Sequence, residues 1–483
     1  MKKVSPILNQ HGGRMVASTF YQGANSGRER RYISTAAQDS SRTQTPSTRS
    51  QIMGLARYLT ANCGAARGAV QDMARYSVGG GILPQSLAVD SDVAREFERY
   101  FTDWSKVCDA AGRMSFGQMQ FVASLRIDTD GDVGFLLTSN REGAPRLQMI
   151  EGHRIGQNNA NGIAVNDEAF FDGVQTDGVG MPLAYQIHDG AKTRKVQARD
   201  FILLHEIDRA DAVRGLSGLA HAINNLRDAQ DILEYEKVGV KQSAAIGLAI
   251  TTGDGTADSG NSFIEDGFAA EETGQLPFDT FQSGMVPRLK TGESIQSFQS
   301  NRPNSAFAGF LDFLMRDVAC GLGLPVEFIW NSEKLGGATQ RFCLAKAQRR
   351  FEQRQQLLES RLLERVWAWV ISRGIQDGDL PKSKDWHRVR WQPPARVIVD
   401  VGREATANRD DVKMGMRSLA EDAGERGIDW QDLREQTERE AVDLIDRAER
   451  IATAKGITLE FALNLLQSRS PNPPTLAATV TET

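Results

Sequence analysis

The spacing of hydrophobic and polar positions changes along the chain, and these changes predict where helices and strands lie. Between residues 52 and 208 the apolar positions switch between helical and alternating spacing. Helices are predicted over residues 52–76, 93–104 and 116–127. Strands are predicted over residues 132–138, 146–150, 184–188 and 201–205, with Gly, Asp and Asn turns between them. The pattern predicts an α+β module with mainly antiparallel connections.

Helical spacing dominates after Arg214. A helix is predicted over residues 221–250, and at 1.5 Å per residue it would extend about 45 Å. Its apolar positions are Ile223, Leu226, Leu233, Val240 and Ala244. Residues 251–304 are rich in glycine, which predicts an irregular insert with a strand pair at residues 286–290 and 294–299.

A helix that starts at residue 305 returns from this insert. Asn304 or Ser305 can cap its start and Gly321 can end it. A short loop follows, and then a second long helix is predicted over residues 338–373. Residues 401–467 are also predicted to be mainly helical.

The two ends of the chain are poor in apolar residues. Residues 10–50 are rich in Ser, Thr, Gly and Arg, and residues 468–483 contain Pro471, Pro473 and Pro474. Segments of this composition bury too little apolar area to offset the entropy lost on ordering. We therefore expect a flexible arm over residues 1–50 and a flexible tail over residues 468–483.

Length and composition restrict the class of protein. A chain of 483 residues predicts two or three structural modules. No apolar run reaches the roughly 18 to 20 residues that span a bilayer, and residues 1–14 lack the apolar stretch of a secretory signal. The four cysteines form no CxxC pair, which argues against a zinc site or a disulfide framework. We expect a cytosolic origin, no membrane association, no metal and no cofactor.

Three segments resemble motifs for nucleotide binding, calcium binding or catalysis, but each departs from its motif at a required position. Residues 190–193 read Gly-Ala-Lys-Thr, with Ala where a phosphate-binding loop requires Gly. Residues 128–132 begin like a calcium loop, but Val133 and Ser139 stand where that loop requires Gly and Glu, so a hairpin or strand-entry turn is favoured. Ser217 has its second Gly one position too early for a nucleophile elbow. The sequence predicts a protein that is not an enzyme.

The charge pattern of the helix over residues 338–373 allows two interpretations. The chain carries a net charge of −5, whereas a simple nucleic-acid binder gains affinity from a basic surface. This helix is nevertheless basic, with Arg341, Lys346, Arg349, Arg350, Arg354, Arg361, Arg365 and Arg373 against Glu352, Glu359 and Glu364. It is either a solvated face with i,i+3 pairs such as Arg349 with Glu352 and Arg361 with Glu364, which is favoured, or a face that meets acidic neighbours or nucleic acid.

An ordered series of short segments resembles the portal proteins of lambda-type tailed bacteriophages. Its centre is Leu-Gly-Leu-Pro at residues 322–325, Gly-Gly-Ala-Thr-Gln-Arg at residues 336–341 and Lys-Ala-Gln-Arg-Arg-Phe at residues 346–351. Further segments lie at residues 108–113, 146–151, 173–174, 182–185 and 214–217. The series is more specific than any one of its members, and it covers residues 51–467.

The resemblance implies an α+β portal fold that assembles as a ring, expected to be a dodecamer. It assigns residues 51–220 to a wing, 221–250 and 305–322 to two stem helices, 251–304 to a clip, 323–339 to a tunnel loop, 340–400 to a long helix that returns to the wing, and 401–467 to a helical crown. Such a ring occupies the unique portal vertex of the virion and is assembled in the cytoplasm of the bacterial host.

The resemblance also implies partners and contact residues. Double-stranded DNA is expected to pass through the ring during packaging and ejection. We expect the tunnel loop to face it through Trp330, Asn331, Glu333 and Lys334, although Trp330 serves equally well as a packing anchor between subunits. The clip is expected to dock the terminase large subunit and later the head-completion or adaptor proteins, around Arg288, Lys290 and Glu293. Capsid and scaffold proteins are further expected partners.

Two alternatives remain open at the level of sequence. One is a virion structural or adaptor protein that is not a portal, and the other is a cytosolic enzyme. An adaptor would lack two stem helices around an insert, and an enzyme would need a convergent catalytic set.

Overall fold

The computed structural model describes residues 37–156, 170–189, 192–245, 249–252, 293–296, 305–330, 337–396, 401–425, 428 and 430–467. Within these ranges, no helix combines the length and the apolar character needed to cross a membrane. The described parts comprise a mixed module of helices and sheets, a pair of long helices and a group of C-terminal helices.

The mixed module begins with five helices, α1 (Ser40–Thr43), α2 (Pro46–Asn62), α3 (Gly64–Val78), α4 (Ser91–Val107) and α5 (Phe116–Asp130). Of these, α2, α4 and α5 start at a side-chain cap. The Thr45 hydroxyl accepts a hydrogen bond from Thr48 N at 3.2 Å, and Ser115 and Gln118 form a reciprocal capping box. The single helix predicted over residues 52–76 is two helices, because the backbone is extended at Cys63.

Residues 40–43 and 46–50 of the predicted flexible arm, residues 1–50, are helical. Helix α1 starts at Ser40, whose hydroxyl donates to Asp211 O at 2.9 Å, and Arg49 in α2 is only 4% exposed. A charged residue inside α2 and a contact far along the chain order these residues despite their polar composition. The prediction for residues 1–36 lies outside the described residues.

Every strand pair that the structure describes is antiparallel, as predicted. The strands are β1 (Leu83–Ser86), β2 (Asp132–Ser139), β3 (Pro145–Glu151), β4 (Val174–Thr176), β5 (Pro182–Asp189), β6 (Lys192–Gln197), β7 (Phe201–His205), β8 (Ala249–Thr252), β9 (Glu293–Gln296) and β10 (Val389–Gln392). They form sheets with the orders β3-β2-β7, β4-β5-β6, β1-β10 and β8-β9. In the first sheet Phe135 lies opposite Met149 on one side and Ile202 on the other.

The insert departs from its predicted strand pair. Strand β9 overlaps the predicted residues 294–299, but its partner is β8, whose first two residues, Ala249 and Ile250, were predicted to end the first long helix. The other predicted strand, residues 286–290, lies outside the described residues. The local pattern therefore located one strand and missed its partner.

Two long helices, α6 (Ile223–Ala245) and α7 (Ser305–Leu322), flank the insert. The predicted loop that follows contains a short helix, α8 (Val326–Ile329). Helix α9 (Gly337–Leu358) continues through one π-helical turn at Glu359–Leu363 into α10 (Glu364–Asp377), so the predicted long helix is confirmed and extended. The C-terminal helices are α11 (Val401–Lys413), α12 (Leu419–Glu425), α13 (Trp430–Lys455) and α14 (Leu459–Gln467).

Two hydrophobic cores hold most of the described chain together. The first packs α4, α5 and the β3-β2-β7 sheet against α10, around residues such as Phe101, Phe135 and Trp367. The second packs α2 and α3 against the helix pair α6–α7 and against α9, around residues such as Leu226 and Phe351. A smaller cluster covers the β4-β5-β6 sheet. Helix α9 with its continuation α10 thus contributes to both large cores.

The turn between α5 and β2 requires a glycine for two separate reasons. Gly131 has a positive φ of 93°, and a Cβ atom built there would lie 2.7 Å from Gly215 O. The backbone that leads into α6 therefore passes directly against this turn. A shift of either segment toward the other would produce a steric clash.

We expect Gly131→Ala to lower stability more than the matched change Gly143→Ala. Gly143 has nearly the same φ, 92°, but nothing lies within 4 Å of its Cβ position. Gly143→Ala should cost about 1–2 kcal/mol through backbone conformation alone, and Gly131→Ala should cost about 1–3 kcal/mol more through the steric contact. Thermal unfolding of both variants measures the difference, and equal losses would contradict the contact.

Candidate functional site

The predicted loop begins at a firmly packed anchor. The ring of Phe328 in α8 lies 5.4 Å from that of Tyr76 and 5.7 Å from that of Phe351, centroid to centroid. Trp330 follows α8, donates its backbone N–H to Val326 O at 2.7 Å, and is 36% exposed. The other predicted loop residues, Asn331, Glu333 and Lys334, lie outside the described residues. The structure thus describes where this loop starts and, at Gly337, where it ends.

The predicted docking residues of the insert are described only in part. Glu293 starts β9, where it lies opposite Thr252. Arg288 and Lys290 lie outside the described residues.

The helix pair is antiparallel and closely packed at the end nearest the mixed module. His221, just before α6, places its ring nitrogen Nε2 3.4 Å from Val318 O of α7. A Cβ atom at Gly321 would lie 1.6 Å from the same nitrogen, so any larger residue there would displace the His221 ring. The start of α6 and the end of α7 therefore form one unit.

Arg354 of α9 ties this region to the mixed module from within the core. Its side chain is fully buried, and its Nη2 donates to Asp128 Oδ1 at 2.6 Å and to Glu206 Oε1 at 2.9 Å. Its Nη1 donates to Ser124 O at 3.0 Å. A buried guanidinium needs such a complete set of acceptors, because an unpaired charge would be costly away from water.

Arg350, one helical turn earlier, connects the same carboxylate to the helix pair. Its Nη2 donates to Glu206 Oε2 at 2.9 Å, and its Nε donates to Leu322 O, the last carbonyl of α7, at 3.2 Å. We call Asp128, Glu206, Arg350 and Arg354 the clamp. Two positive and two negative charges make it neutral, and it joins α5, the end of β7, α9 and α7.

Glu206 is held in its charged form by this arrangement. Burial raises the pKa of Glu206, but the guanidinium groups of Arg354 and Arg350 outweigh burial and hold that pKa at about 2. The side chain is still 35% exposed, unlike the fully buried Arg354. The Glu206 end of the clamp is thus the end that solvent can reach.

A second buried group of charges lies beside the clamp. Arg214 donates to both oxygens of Asp132, at 2.6 and 2.9 Å, and to the carbonyls of Asp172, Ile155 and Gly152, at 2.7, 2.9 and 3.0 Å. These five bonds use every donor that an arginine side chain has. Arg214 therefore fixes the segment that enters α6 against β2 and the second sheet.

The calcium-like run of residues 128–132 has a structural role. Asp128 binds Arg354, Asp130 binds Arg57 at 2.8 Å, and Asp132 binds Arg214. No group of side chains in the described residues could hold a metal ion. Helix α5 ends and β2 starts within the run, so the predicted strand-entry turn is confirmed.

The other incomplete motifs also have structural roles. The Ser217 hydroxyl is buried and donates to Asp128 O at 2.7 Å, which places it at the approach to α6. Lys192 is exposed at the start of the edge strand β6, while Gly190 and Ala191 lie outside the described residues.

Both interpretations of the basic helix hold, at different residues. Arg349 pairs with Glu352 at 3.1 Å on the surface, as the favoured interpretation predicts. The other predicted pair, between the described residues Arg361 and Glu364, does not form, because the π-helical turn at Glu359–Leu363 changes the spacing there. Arg350 and Arg354 instead meet acidic neighbours from other elements. The basic pattern alone does not distinguish these two arginines from the other basic residues of the helix. The signal that was available is their i,i+4 spacing around Phe351, because that spacing puts them on the face that packs inward.

The junction of mixed module, helix pair and long helix is formed largely by residues 124–354, which lie within the range of a family match. The chain belongs to the lambda family of phage portal proteins, since the model of that family matches residues 27–355. This family is a structural class of phage protein. No curated protein matches the chain.

Several solved structures have a related arrangement. The neck of a native gene transfer agent particle, computed with C12 symmetry, is 15% identical with a TM-score of 0.48, over 80% of this chain and 94% of that chain. A chain of the virion of the native gene transfer agent particle is 15% identical with a TM-score of 0.45, over 78% and 93%. An HK97 family phage portal protein from Corynebacterium diphtheriae is 11% identical with a TM-score of 0.32, over 69% and 92%.

We expect Arg350→Met to loosen the end of α7 while Arg349→Met leaves it unchanged. Methionine keeps the apolar stem that packs 3.4 Å from the Cβ position of Gly323 but removes the bonds to Leu322 O and Glu206. The amides of Gly323 and Leu324, bonded to Cys320 O and Ala319 O, should exchange with deuterium about tenfold faster, as the loss of one charge-assisted hydrogen bond predicts. Equal exchange in both variants would show that Arg350 does not hold the helix end.

The clamp should also make stability depend on acid pH. The pKa of Glu206 is about 2 in the folded protein and 4.5 ordinarily, so its contribution is complete above about pH 4.5 and is lost as the pH falls toward 2. Glu206→Gln should therefore lower the melting temperature at neutral pH, and the gap to the natural protein should close across this window. Glu352→Gln, at the surface pair with Arg349, is the matched control. A gap that stays constant from pH 7 to about pH 2.5 would contradict this role.

Proposed function

We propose that this protein is the portal subunit of a tailed bacteriophage. Copies of it form a ring, a dodecamer in the simplest form of the proposal, at one vertex of the capsid. Double-stranded DNA passes through the ring during packaging and ejection. The observation that carries the proposal is the family match over residues 27–355, which includes the mixed module, both long helices and the insert between them.

In this proposal each part of the chain has one duty. The mixed module is the wing, the helix pair α6–α7 is the stem, and the insert is the clip. The C-terminal helices are the crown. A closed ring requires each subunit to present one surface to the next subunit and a complementary surface to the previous one.

The loop between α8 and α9 is the proposed DNA-facing element. Its start is held by Phe328 in the second core, and α9 is held by Arg350 and Arg354. These two arginines are engaged by carboxylates, so Lys334 is left as the main cation that the loop itself supplies. Few phosphate contacts favour passage over retention, because each contact adds about one unit to the salt dependence of binding.

ATP hydrolysis belongs to a separate terminase in this proposal. That enzyme docks on the clip around Arg288, Lys290 and Glu293, and head-completion or adaptor proteins bind the same end after packaging. Capsid and scaffold proteins contact the ring during assembly, and the mature location is the portal vertex of the virion.

Negative-stain imaging of the purified chain tests the proposal. A turbine-like ring with a central hole supports a portal. A monomer or a closed shell would contradict it, since neither provides a channel.

A loop variant, tested by imaging its rings and by measuring the DNA retained in assembled phage particles, probes the DNA-facing element. Removing residues 326–336 would also remove Val326, Phe328 and Ile329, which pack against the second core. Replacing residues 331–335 with a Gly-Ser stretch of equal length is the sharper change. We expect such rings to look normal but to retain at least tenfold less packaged DNA, if the lost contacts contribute about 1.4 kcal/mol or more. The same replacement at residues 141–143, on the β2–β3 turn, is the control, and normal retention in the loop variant would exclude a role for the loop.

A further inference from the structure

A cavity of about 560 Å³ opens at the end of the mixed module where β2 finishes. It is formed by the end of α4, the loop of residues 108–115, the start of β3 and Asn140 in the turn between β2 and β3. Strand β2 rises about 3.4 Å per residue, so the cavity lies roughly 24 Å from Asp132 at the opposite end of the strand. The helix pair and its clamp are therefore not part of it.

Three cations line the cavity, and their charge is not balanced by acidic side chains. Lys106, Arg113 and Arg146 contribute to the lining, and Asp109 is the one carboxylate among the lining residues. Arg113 is exposed and makes no ion pair with any residue in the described part of the chain. Arg146 donates to Pro145 O at 3.0 Å, a neutral acceptor. Lys106 pairs with Asp103 at the surface, where both side chains are well exposed and such pairs contribute little.

The Asp109 carboxylate is already used by the loop itself. It accepts hydrogen bonds from the backbone N–H groups of Ala111, Arg113 and Met114, at 3.1, 2.9 and 3.2 Å. Those hydrogen bonds stabilise the carboxylate but leave its single negative charge in place, so the three lining cations exceed it by two charges. The start of α5 at Ser115 also borders the cavity and adds the partial positive charge of a helix N-terminus.

In a second cavity the lining cations are paired with carboxylates. It lies between α9, β10 and α12 and has a volume of about 220 Å³. Its two arginines are both paired, Arg390 with Glu421 at 3.5 Å and Arg396 with Glu352 at 3.4 Å. The two cavities therefore differ in charge balance, and the one at the loop of residues 108–115 carries the excess of positive charge.

The cationic cavity is rigid before any ligand binds. Leu147 N donates to Cys108 O at 2.7 Å, and Ala110 N donates to Leu147 O at 2.8 Å, which pins the loop to β3. Gly112, with a φ of 67°, closes the turn by donating to Asp109 O. A preformed site loses little entropy on binding, which favours affinity.

We propose that this cavity docks an acidic peptide segment of a partner protein. The cations converge on one concave site, whereas a DNA duplex presents a phosphate every 3.4 Å or so along each strand and requires a row of cations. Val107, which is 53% exposed, and Met114 provide apolar contact for the aliphatic parts of a peptide. The proposal concerns a surface outside the helix pair and the loop, so it stands apart from the passage of DNA.

Fluorescence anisotropy with a labelled hexaglutamate peptide and the full assembled protein tests the proposal. We expect saturable binding that weakens with salt. Arg113→Gln should reduce affinity about tenfold, the effect of losing one charge-assisted hydrogen bond. Arg141→Gln is the matched control, because Arg141 is exposed on the adjoining turn but does not line the cavity.

Negative-stain images of each variant show whether the assembly is intact. Arg113 is exposed, so its substitution should leave folding unchanged, and the double variant Arg113→Gln with Arg146→Gln should bind still more weakly. No binding of hexaglutamate, or equal binding by the natural protein and Arg113→Gln, would overturn the proposal. Tighter binding of a short DNA duplex or of inorganic phosphate, with the same dependence on Arg113, would also overturn it by assigning the cavity to another class of ligand.

Discussion

Buried arginine–carboxylate pairing around the end of α5 is the constraint on which the arrangement of the described chain depends. Asp128, Asp130 and Asp132 are each less than 3% exposed, and each binds an arginine from a different part of the chain. Such pairs add little net stability over apolar packing, but losing one partner costs about 3–5 kcal/mol. An arrangement that displaced α9, α2 or the approach to α6 would leave a buried charge unpaired. The pairs therefore select one packing of these elements over its alternatives.

Sequence patterns predicted most elements and almost none of these pairings. The helices and the strands β2, β3, β5 and β7 follow from local spacing, which a window of residues contains in full. The pairing of β1 with β10 and the bonds of Arg354 join positions hundreds of residues apart, and no local window contains both partners. The break at Cys63 was missed for another reason, since apolar spacing continues across it and only the backbone changes. The family resemblance supplied the order of the parts, and the loop and clip residues remain predictions.

The ion pairs of the arginines in α9 explain how a helix rich in basic residues occurs in a chain with a net charge of −5. Arg350 and Arg354 are neutralised by Glu206 and Asp128, so their charges stabilise the junction and contribute little to the field outside it. For the proposed portal ring, cations that are engaged within the protein favour movement of DNA more than cations that face the channel. The same bonds fix the position of α9, which follows the proposed DNA-facing loop. The helices on both sides of that loop, α8 and α9, are therefore held by contacts within the protein.

Several segments that carry the family resemblance make contacts that hold parts of the fold together. Their similarity to the family therefore has a structural basis and does not depend on a catalytic motif. Residues 214–217 supply the five bonds of Arg214 and the hydroxyl of Ser217, and residues 346–351 supply Arg350. Residues 108–113 differ from these, because Asp109 shapes the loop while Arg113 points its charge into a cavity and pairs with nothing in the described chain. A side-chain charge that makes no ion pair within the described chain is available to bind a partner. The contrast between Arg354, buried and fully bonded, and Arg113, exposed and unbalanced, separates the arginines that build this protein from those available to a partner.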